Sequence, residues 1–228
     1  TAPYPNPEDK RVFELAIEMA KETAPDLIFG TDPDCDRIGV VVKESADSYK
    51  VLTGNQVGIL LSDYILNARK EMGTLSGQDT IVKTIVTSDM VKPIATHYGT
   101  QVMDVLTGFK YIGEKIKEFL ETGANNFVFG YEESYGYLSG DFVRDKDAVI
   151  ASVLIAEMAL YYRTQGKNLY EALEDLFKQY GYYREDLVSI QMEGKDGQEK
   201  IQAIISNLRE NAPKEVGGIR VVRVEDYK

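Results

Sequence analysis

The chain has 228 residues, 43% hydrophobic and 28% charged, which is ordinary globular composition and enough for one large domain or two smaller ones. Its formal net charge of -11, with no basic block, excludes the positive footprint that nucleic acids and anionic membranes require. No apolar run could span a bilayer and none reads as a secretion signal, while a lone cysteine forms no internal disulfide, which fits a reducing, cytoplasmic setting.

Residues 1–7 are proline-rich and read as extended. From Pro7 a helix is expected, with Glu8 and Asp9 in its first turn and Val12, Phe13, Ala16, Ile17 and Ala20 on one apolar face. Residues 26–30 (DLIFG) form a short strand, then TDPDCDR, then a strand over 38–42 (IGVVV), β-branched and buried on both faces. A helix over 55–72, a strand over 80–86 and a helix to Tyr98, capped by Ser88, follow. Next come a strand over 101–106, the loop TGFK, a helix through Lys117 and a strand over 126–130 that ends in YEESYGY. Helices over 146–163 and 170–180 precede a strand (187–192), a helix (199–208) and a strand (218–224). Strands alternating with helices predict an α/β protein, its sheets mixed or mostly parallel and flanked by helices. The chain begins TAPYPNPED without Met and ends in what reads as a strand in mid-flow, so a piece of something longer is expected.

In such folds ligands sit at the carboxyl ends of strands. Two of these ends resemble each other: LIFG followed by TDPDCD, and FVFG followed by YEESYG. Each is an apolar strand, a glycine and an acidic loop, a pattern that suits two related units facing one ligand or one site with two acidic walls, and that is also common by chance.

Asp32, Asp34 and Asp36 stand two residues apart, so their charges repel and raise one another's pKa unless a cation intervenes. A polar turn needs one aspartate, not three at regular spacing. An EF-hand calcium loop would require Gly at its sixth position and Glu at its twelfth; Arg37 and Lys43 stand there, and strands replace the flanking helices. Mg2+ suits the loop better, since it takes few protein carboxylates and completes its shell from water or phosphate. Arg37 balances these charges or contacts a phosphate through its forked donors.

Glu132, Glu133 and Ser134 lie among Tyr131, Tyr135 and Tyr137, and this mixture of acceptors and rings suits a sugar. It suits an exposed turn equally. Arg144 and Lys146, in RDKDA, stand where helix N-termini bind anions. Thr107, Gly108, Phe109 and Lys110 make a fourth strand-to-helix loop. His97, the sole histidine, lies on an amphipathic helix and reads as structural.

Together these loops resemble the α-D-phosphohexomutase family, and within it the phosphoglucomutase and phosphopentomutase branch. TDPDCDR resembles the family's D-x-D-x-D-R metal loop, GYEESYGY its G-E-x-S sugar loop with one inserted residue, TGFK its specificity loop and RDKDA the loop whose lysine serves substrate phosphate. The resemblance spans nearly the whole chain. It implies that Asp32, Asp34 and Asp36 bind Mg2+ with Arg37 in support, and that Glu132 and Ser134 hold sugar hydroxyls. It implies that Thr107, Gly108 and Phe109 line the sugar site, and that Lys146 contacts phosphate or assists proton transfer.

The implied reaction moves a phosphoryl group between the 1- and 6-hydroxyls of a hexose through a bisphosphate, with glucose 1,6-bisphosphate as activator and glucose phosphate ahead of mannose, glucosamine or pentose phosphate as substrate. No Ser-His nucleophile loop and no closing R-x-S-G-T-type phosphate loop is present in these residues. The resemblance therefore implies a central piece: 1–52 ending the metal-loop domain, 53–182 the sugar-binding domain and 183–228 a connector to the next. On this reading the piece is inactive without the missing domains of its polypeptide.

Two rivals stand beside it. A haloacid-dehalogenase-type phosphatase would use LIFGTDPD, KTIVTS and FVFGYEES as its three motifs, with Asp32 as nucleophile and Asp34 as acid/base. A non-catalytic sugar-phosphate binding module would keep the same residues.

Overall fold

A computed structural model of the chain describes residues 5–45, 48–185 and 192–227, and these fall into two compact units, Thr1–Arg184 and Glu185–Lys228.

The first unit opens with a 3-10 turn, Lys10–Phe13, capped by the Asp9 carboxylate, which accepts from the Arg11 N–H. Helix α1 (Glu14–Thr23) follows. Strands β1 (Leu27–Thr31), β2 (Ile38–Ser45) and β3 (Ser48–Leu52) form an antiparallel sheet in the order β1-β2-β3. Residues Ile38 to Val42 are buried throughout, as expected. The sheet is nevertheless antiparallel, because a six-residue loop between β1 and β2 can only close a hairpin. Gly30 pairs with Gly39 across it, and a Cβ on either would come within 2.7 Å of the Phe13 ring. The two bare backbones thus form a slot for that ring, whose burial contributes on the order of 2–3 kcal/mol.

Helix α2 (Gly54–Glu71) begins with a capping box between Thr53 and Gln56 and is buried along most of its length. Strands β4 (Asp79–Thr84), β5 (Gln101–Val105), β6 (Asn126–Tyr131) and β7 (Tyr137–Ser139) make a second sheet in the order β5-β4-β6-β7. Strand β4 is parallel to both β5 and β6, while β7 returns antiparallel to β6. Helices α3 (Val91–Tyr98) and α4 (Phe109–Thr122) supply the parallel crossovers. Ser88 does not cap α3 at its first residue; its hydroxyl accepts from the Met90 N–H, and the helix starts at Val91. Helices α5 (Ala148–Thr164) and α6 (Leu169–Tyr180) complete the unit. One continuous core joins β2, α2, β6, α5 and α6 through residues such as Val40, Leu60, Phe129, Ile155 and Leu173.

In the second unit, helix α7 (Gly194–Glu210) precedes a two-stranded hairpin, β8 (Glu215–Val216) with β9 (Ile219–Arg220). Gly217 and Gly218 both take positive φ, 56° and 81°, the conformation of a two-residue hairpin turn. That turn limits the strand expected over 218–224 to Ile219–Arg220. The strand expected over 187–192 lies almost wholly outside the described residues.

Candidate functional site

The two acidic loops are two hairpin ends that meet. In the β1–β2 loop, the Asp32 N–H donates to the Arg37 carbonyl at 3.4 Å and the Cys35 N–H to the Asp32 carbonyl at 3.1 Å. In the β6–β7 loop, the Glu132 N–H donates to the Gly136 carbonyl at 2.9 Å. Each carries a non-glycine residue in the left-handed region, Cys35 at φ 58° and Tyr135 at φ 69°, a conformation that costs roughly 1–2 kcal/mol and concentrates at functional loops. The loops are zipped together by an antiparallel bridge between Arg37 and Gly136, with the Ile38 N–H donating to the Tyr135 carbonyl at 3.1 Å.

Asp32, Asp34 and Asp36 each offer a carboxylate oxygen within 4.8 Å of the other two, with Asp32 buried and Asp34 exposed. Asp32 Oδ1 accepts from the N–H groups of Asp36 and Arg37 at 3.2 and 3.1 Å, and Oδ2 from Arg37 Nε at 2.8 Å. Burial pushes the Asp32 carboxyl up, but the Arg37 hydrogen bonds prevail and hold it below the usual carboxylate range. Asp36 goes the other way: burial, with the neighbouring Asp32, raises it against the pull of Lys146. Arg37 also donates to Glu8 Oε1 at 2.8 Å, which ties the segment before α1 to the loop. Glu8 was legible in the sequence only as a first-turn acid, since its partner is 29 residues away.

Lys146 joins the two loops. Its ammonium lies 2.9 Å from Asp36 Oδ2, 3.0 Å from Asp145 Oδ1 and 5.5 Å from the centre of the Phe109 ring. Its stem lies so close to Gly136 that a Cβ there would come 2.2 Å from Lys146 Cδ. Burial by itself would lower this ammonium's pKa, yet its bonds to Asp36 and Asp145 raise it, so it stays charged. The expected anion site at the α5 N-terminus lacks free amides, because the Ala148 N–H donates to the Cys35 carbonyl and those of Val149 and Ile150 to the Asp147 carboxylate. What that position presents to an anion is the Lys146 side chain; Arg144 is exposed.

Glu132 is 6% exposed, and its Oε1 accepts from the Gly108 N–H at 3.0 Å, which links the β6–β7 loop to the start of α4. Burial pushes its carboxyl up, and Lys146 and the Gly108 N–H offset this only in part. Ser134 is half-buried and Thr107 exposed. Phe109 is a buried core side chain that lies beneath the Lys146 ammonium. His97 is exposed and packs edge-on against Tyr98 and Tyr180.

Fold and site together define an α/β protein whose two larger sheets present facing acidic loops bridged by one lysine. The chain belongs to the phosphoglucomutase/phosphomannomutase family: the family's α/β/α domain III matches residues 53–180 and its α/β/α domain II matches residues 1–45. It is 38% identical over 223 residues to the phosphoglucomutase of Staphylococcus haemolyticus (strain JCSC1435), covering 98% of this chain and 40% of that protein. It is 37% identical over 222 residues to that of Staphylococcus aureus (strain USA300), covering 97% and 39%. The chain thus spans about two fifths of the length of these relatives.

Among solved structures, a phosphoglucomutase/phosphomannomutase family protein of Burkholderia thailandensis superposes with a TM-score of 0.58 at 19% identity, covering 75% of this chain and 33% of that one. The Paramecium phosphoglucomutase pp63/parafusin superposes at 0.57 and 19%, covering 79% and 30%. These share the fold. The dehalogenase alternative fails on both counts: the family match excludes it, and its three motif strands, β1, β4 and β6, do not lie in one parallel sheet.

Proposed function

We propose that this chain is the central part of a phosphoglucomutase that interconverts glucose 1-phosphate and glucose 6-phosphate through glucose 1,6-bisphosphate, with the divisions at 52/53 and 182/183 as its domain boundaries. The observation that carries the reading is Lys146 held between the two acidic loops, 2.9 Å from Asp36. Two adjoining acidic loops with one charged ammonium between them suit a ligand that brings both a phosphate and hydroxyl groups.

The donor set fits Mg2+. Asp32, Asp34 and Asp36 are hard oxygen ligands converging within 4.8 Å, and their three charges exceed the two of Arg37 and Lys146. When bound there, Mg2+ would neutralise charge on a transferring phosphoryl group. Arg37 orients Asp32 through Nε and braces the loop against Glu8. Lys146 binds phosphate or passes a proton to a sugar oxygen. Glu132 and Ser134 hold sugar hydroxyls, with the Thr107–Gly108–Phe109 turn fixed beside them through the Gly108 N–H on Glu132. The phosphoserine nucleophile comes from sequence outside these residues.

A coupled assay tests this, with glucose 1-phosphate, a trace of glucose 1,6-bisphosphate, Mg2+ and a dehydrogenase that reports glucose 6-phosphate. The full-length protein turns over and the 228-residue chain alone does not. Binding without turnover by the full-length protein would establish a non-catalytic sugar-phosphate module instead. Turnover by the chain alone would place a nucleophile within it, with Asp32 the first suspect.

A further inference from the structure

Lys83, on β4, is wholly buried. A buried ammonium is costly unless paired and hydrogen-bonded. This one lies 2.9 Å from Asp104 Oδ1 and 3.2 Å from Asp89 Oδ1, and donates to the carbonyls of Thr87 at 3.0 Å and Thr84 at 3.3 Å. The Thr87 N–H donates to the same Thr84 carbonyl at 3.0 Å. The ammonium therefore closes the turn that leaves the carboxyl end of β4.

That turn aims two hydroxyls at one atom. Thr84 Oγ1 and Thr87 Oγ1 lie 2.5 Å apart, and 3.1 and 3.2 Å from Glu133 Oε2. Both threonines are buried. Glu133 stands between Glu132 and Ser134, the residues assigned above to sugar hydroxyls. Its carbonyl oxygen packs onto Gly54 at the head of α2, where a Cβ would come within 2.0 Å of it. Two residues on, the Tyr135 carbonyl accepts from Ile38. The loop is thus held by its side chain on β4, by its backbone on α2 and by its far end on β2. A short loop pinned in this way leaves Glu132 and Ser134 little freedom, which is what precise recognition requires.

We propose that Glu133, locked by the Thr84–Thr87 hydroxyl pair on the turn that Lys83 closes, is a positioning residue that sets Glu132 and Ser134 for a sugar phosphate. The inference rests on the sugar-phosphate reading of this loop.

The test uses the full-length protein as wild type, Glu133→Ala, Glu133→Gln and the near-isosteric double variant Thr84→Val/Thr87→Val. Glucose 1-phosphate affinity is measured calorimetrically alongside KM, kcat and Mg2+ affinity. Glu133→Ala and the double variant raise both Kd and KM for glucose 1-phosphate by about tenfold or more, the scale of losing charge-assisted hydrogen bonds, and leave Mg2+ affinity unchanged. Glu133→Gln keeps an acceptor oxygen for both hydroxyls and recovers most of the loss. The proposal is overturned if the double variant binds glucose 1-phosphate within about twofold of wild type, if Mg2+ and sugar affinities fall together as in general unfolding, or if Glu133→Gln is as weak as Glu133→Ala. Should Glu133→Ala fail to fold, the double variant decides. A wild-type protein that neither binds nor converts glucose 1-phosphate would instead sink the sugar-phosphate reading itself.

Discussion

The Lys146 ammonium lies 2.9 Å from Asp36 Oδ2, so a residue flanking the second hairpin neutralises a carboxylate of the first. This contact spans the two sheets and complements the backbone bridge between Arg37 and Gly136. The bridge sets the distance between the loops, and the lysine sets the charge between them.

Replacing Lys146 with Met keeps most of the stem that packs on Gly136 and deletes the charge that lies over the Phe109 ring. A hydrogen bond to a charged group contributes ~1.5–3 kcal/mol, or roughly ten- to a hundredfold. Under the proposed mutase function, turnover at saturating Mg2+ in the full-length protein falls by that range while the thermal midpoint changes little. Turnover within about twofold of wild type would remove Lys146 from the site.

On the proposed Mg2+ assignment, Asp34 and Asp32 separate metal binding from folding. Asp34 is exposed, so Asp34→Asn lowers Mg2+ affinity by about tenfold or more and leaves urea unfolding unchanged. Asp32 is buried and orders Arg37, so Asp32→Asn loses metal affinity and also about 1–3 kcal/mol of stability. Calorimetric Mg2+ titration checks both, and unchanged affinity in Asp34→Asn would refute the metal assignment.

Asp63, buried on α2, accepts from the Tyr98 hydroxyl at 3.0 Å and the Tyr162 hydroxyl at 3.3 Å. Burial pushes its carboxyl up, and the two hydroxyls and the nearby His97 pull it down only in part. The folded chain therefore holds this proton more tightly than the unfolded chain does. The stabilisation is fully present below the unfolded value of ~3.9, is lost as pH rises towards the raised folded value, and is flat above it. Asp63→Asn removes this dependence. Between pH 4 and 7 the stability of the variant relative to wild type rises with pH, by ~1.4 kcal/mol for each tenfold tightening of the proton. Urea midpoints measured across that range, with a difference independent of pH, would show that Asp63 ionises freely.

Much of this organisation was legible in the sequence. Periodicity located α2, α4, α6 and the buried strands β2 and β4, because their apolar faces are long and uninterrupted. The likeness of LIFGTDPD to FVFGYEES has a physical basis, since both are hairpin ends with an acid two residues after the glycine and a left-handed residue three further on. Strand β3 was not legible: SYKVL alternates weakly, and only its pairing with β2 makes it a strand. Lys83 and Glu8 were also missed. Their meaning depends on partners at distant sequence positions, Asp104 and Arg37, and no local pattern encodes such a pairing.

Gly58 sets two effects against each other. It lies inside α2, where exchanging Gly for Ala gains up to ~1 kcal/mol of helix propensity. Its missing side chain faces Tyr131, and a Cβ would stand 2.1 Å from Tyr131 Cδ2. That ring cannot yield easily, being fully buried and stacked on Phe129 with centroids 5.3 Å apart. Overpacking of this kind costs ~1–3 kcal/mol, so the clash outweighs the propensity. Gly58→Ala is therefore destabilising, by a net of up to ~2 kcal/mol in urea unfolding. Tyr131 ends β6 immediately before Glu132, so the displaced ring also moves the acidic loop, and KM for glucose 1-phosphate in the full-length protein rises with the loss of stability. A variant as stable as wild type would mean that α2 and β6 stand farther apart than this packing requires.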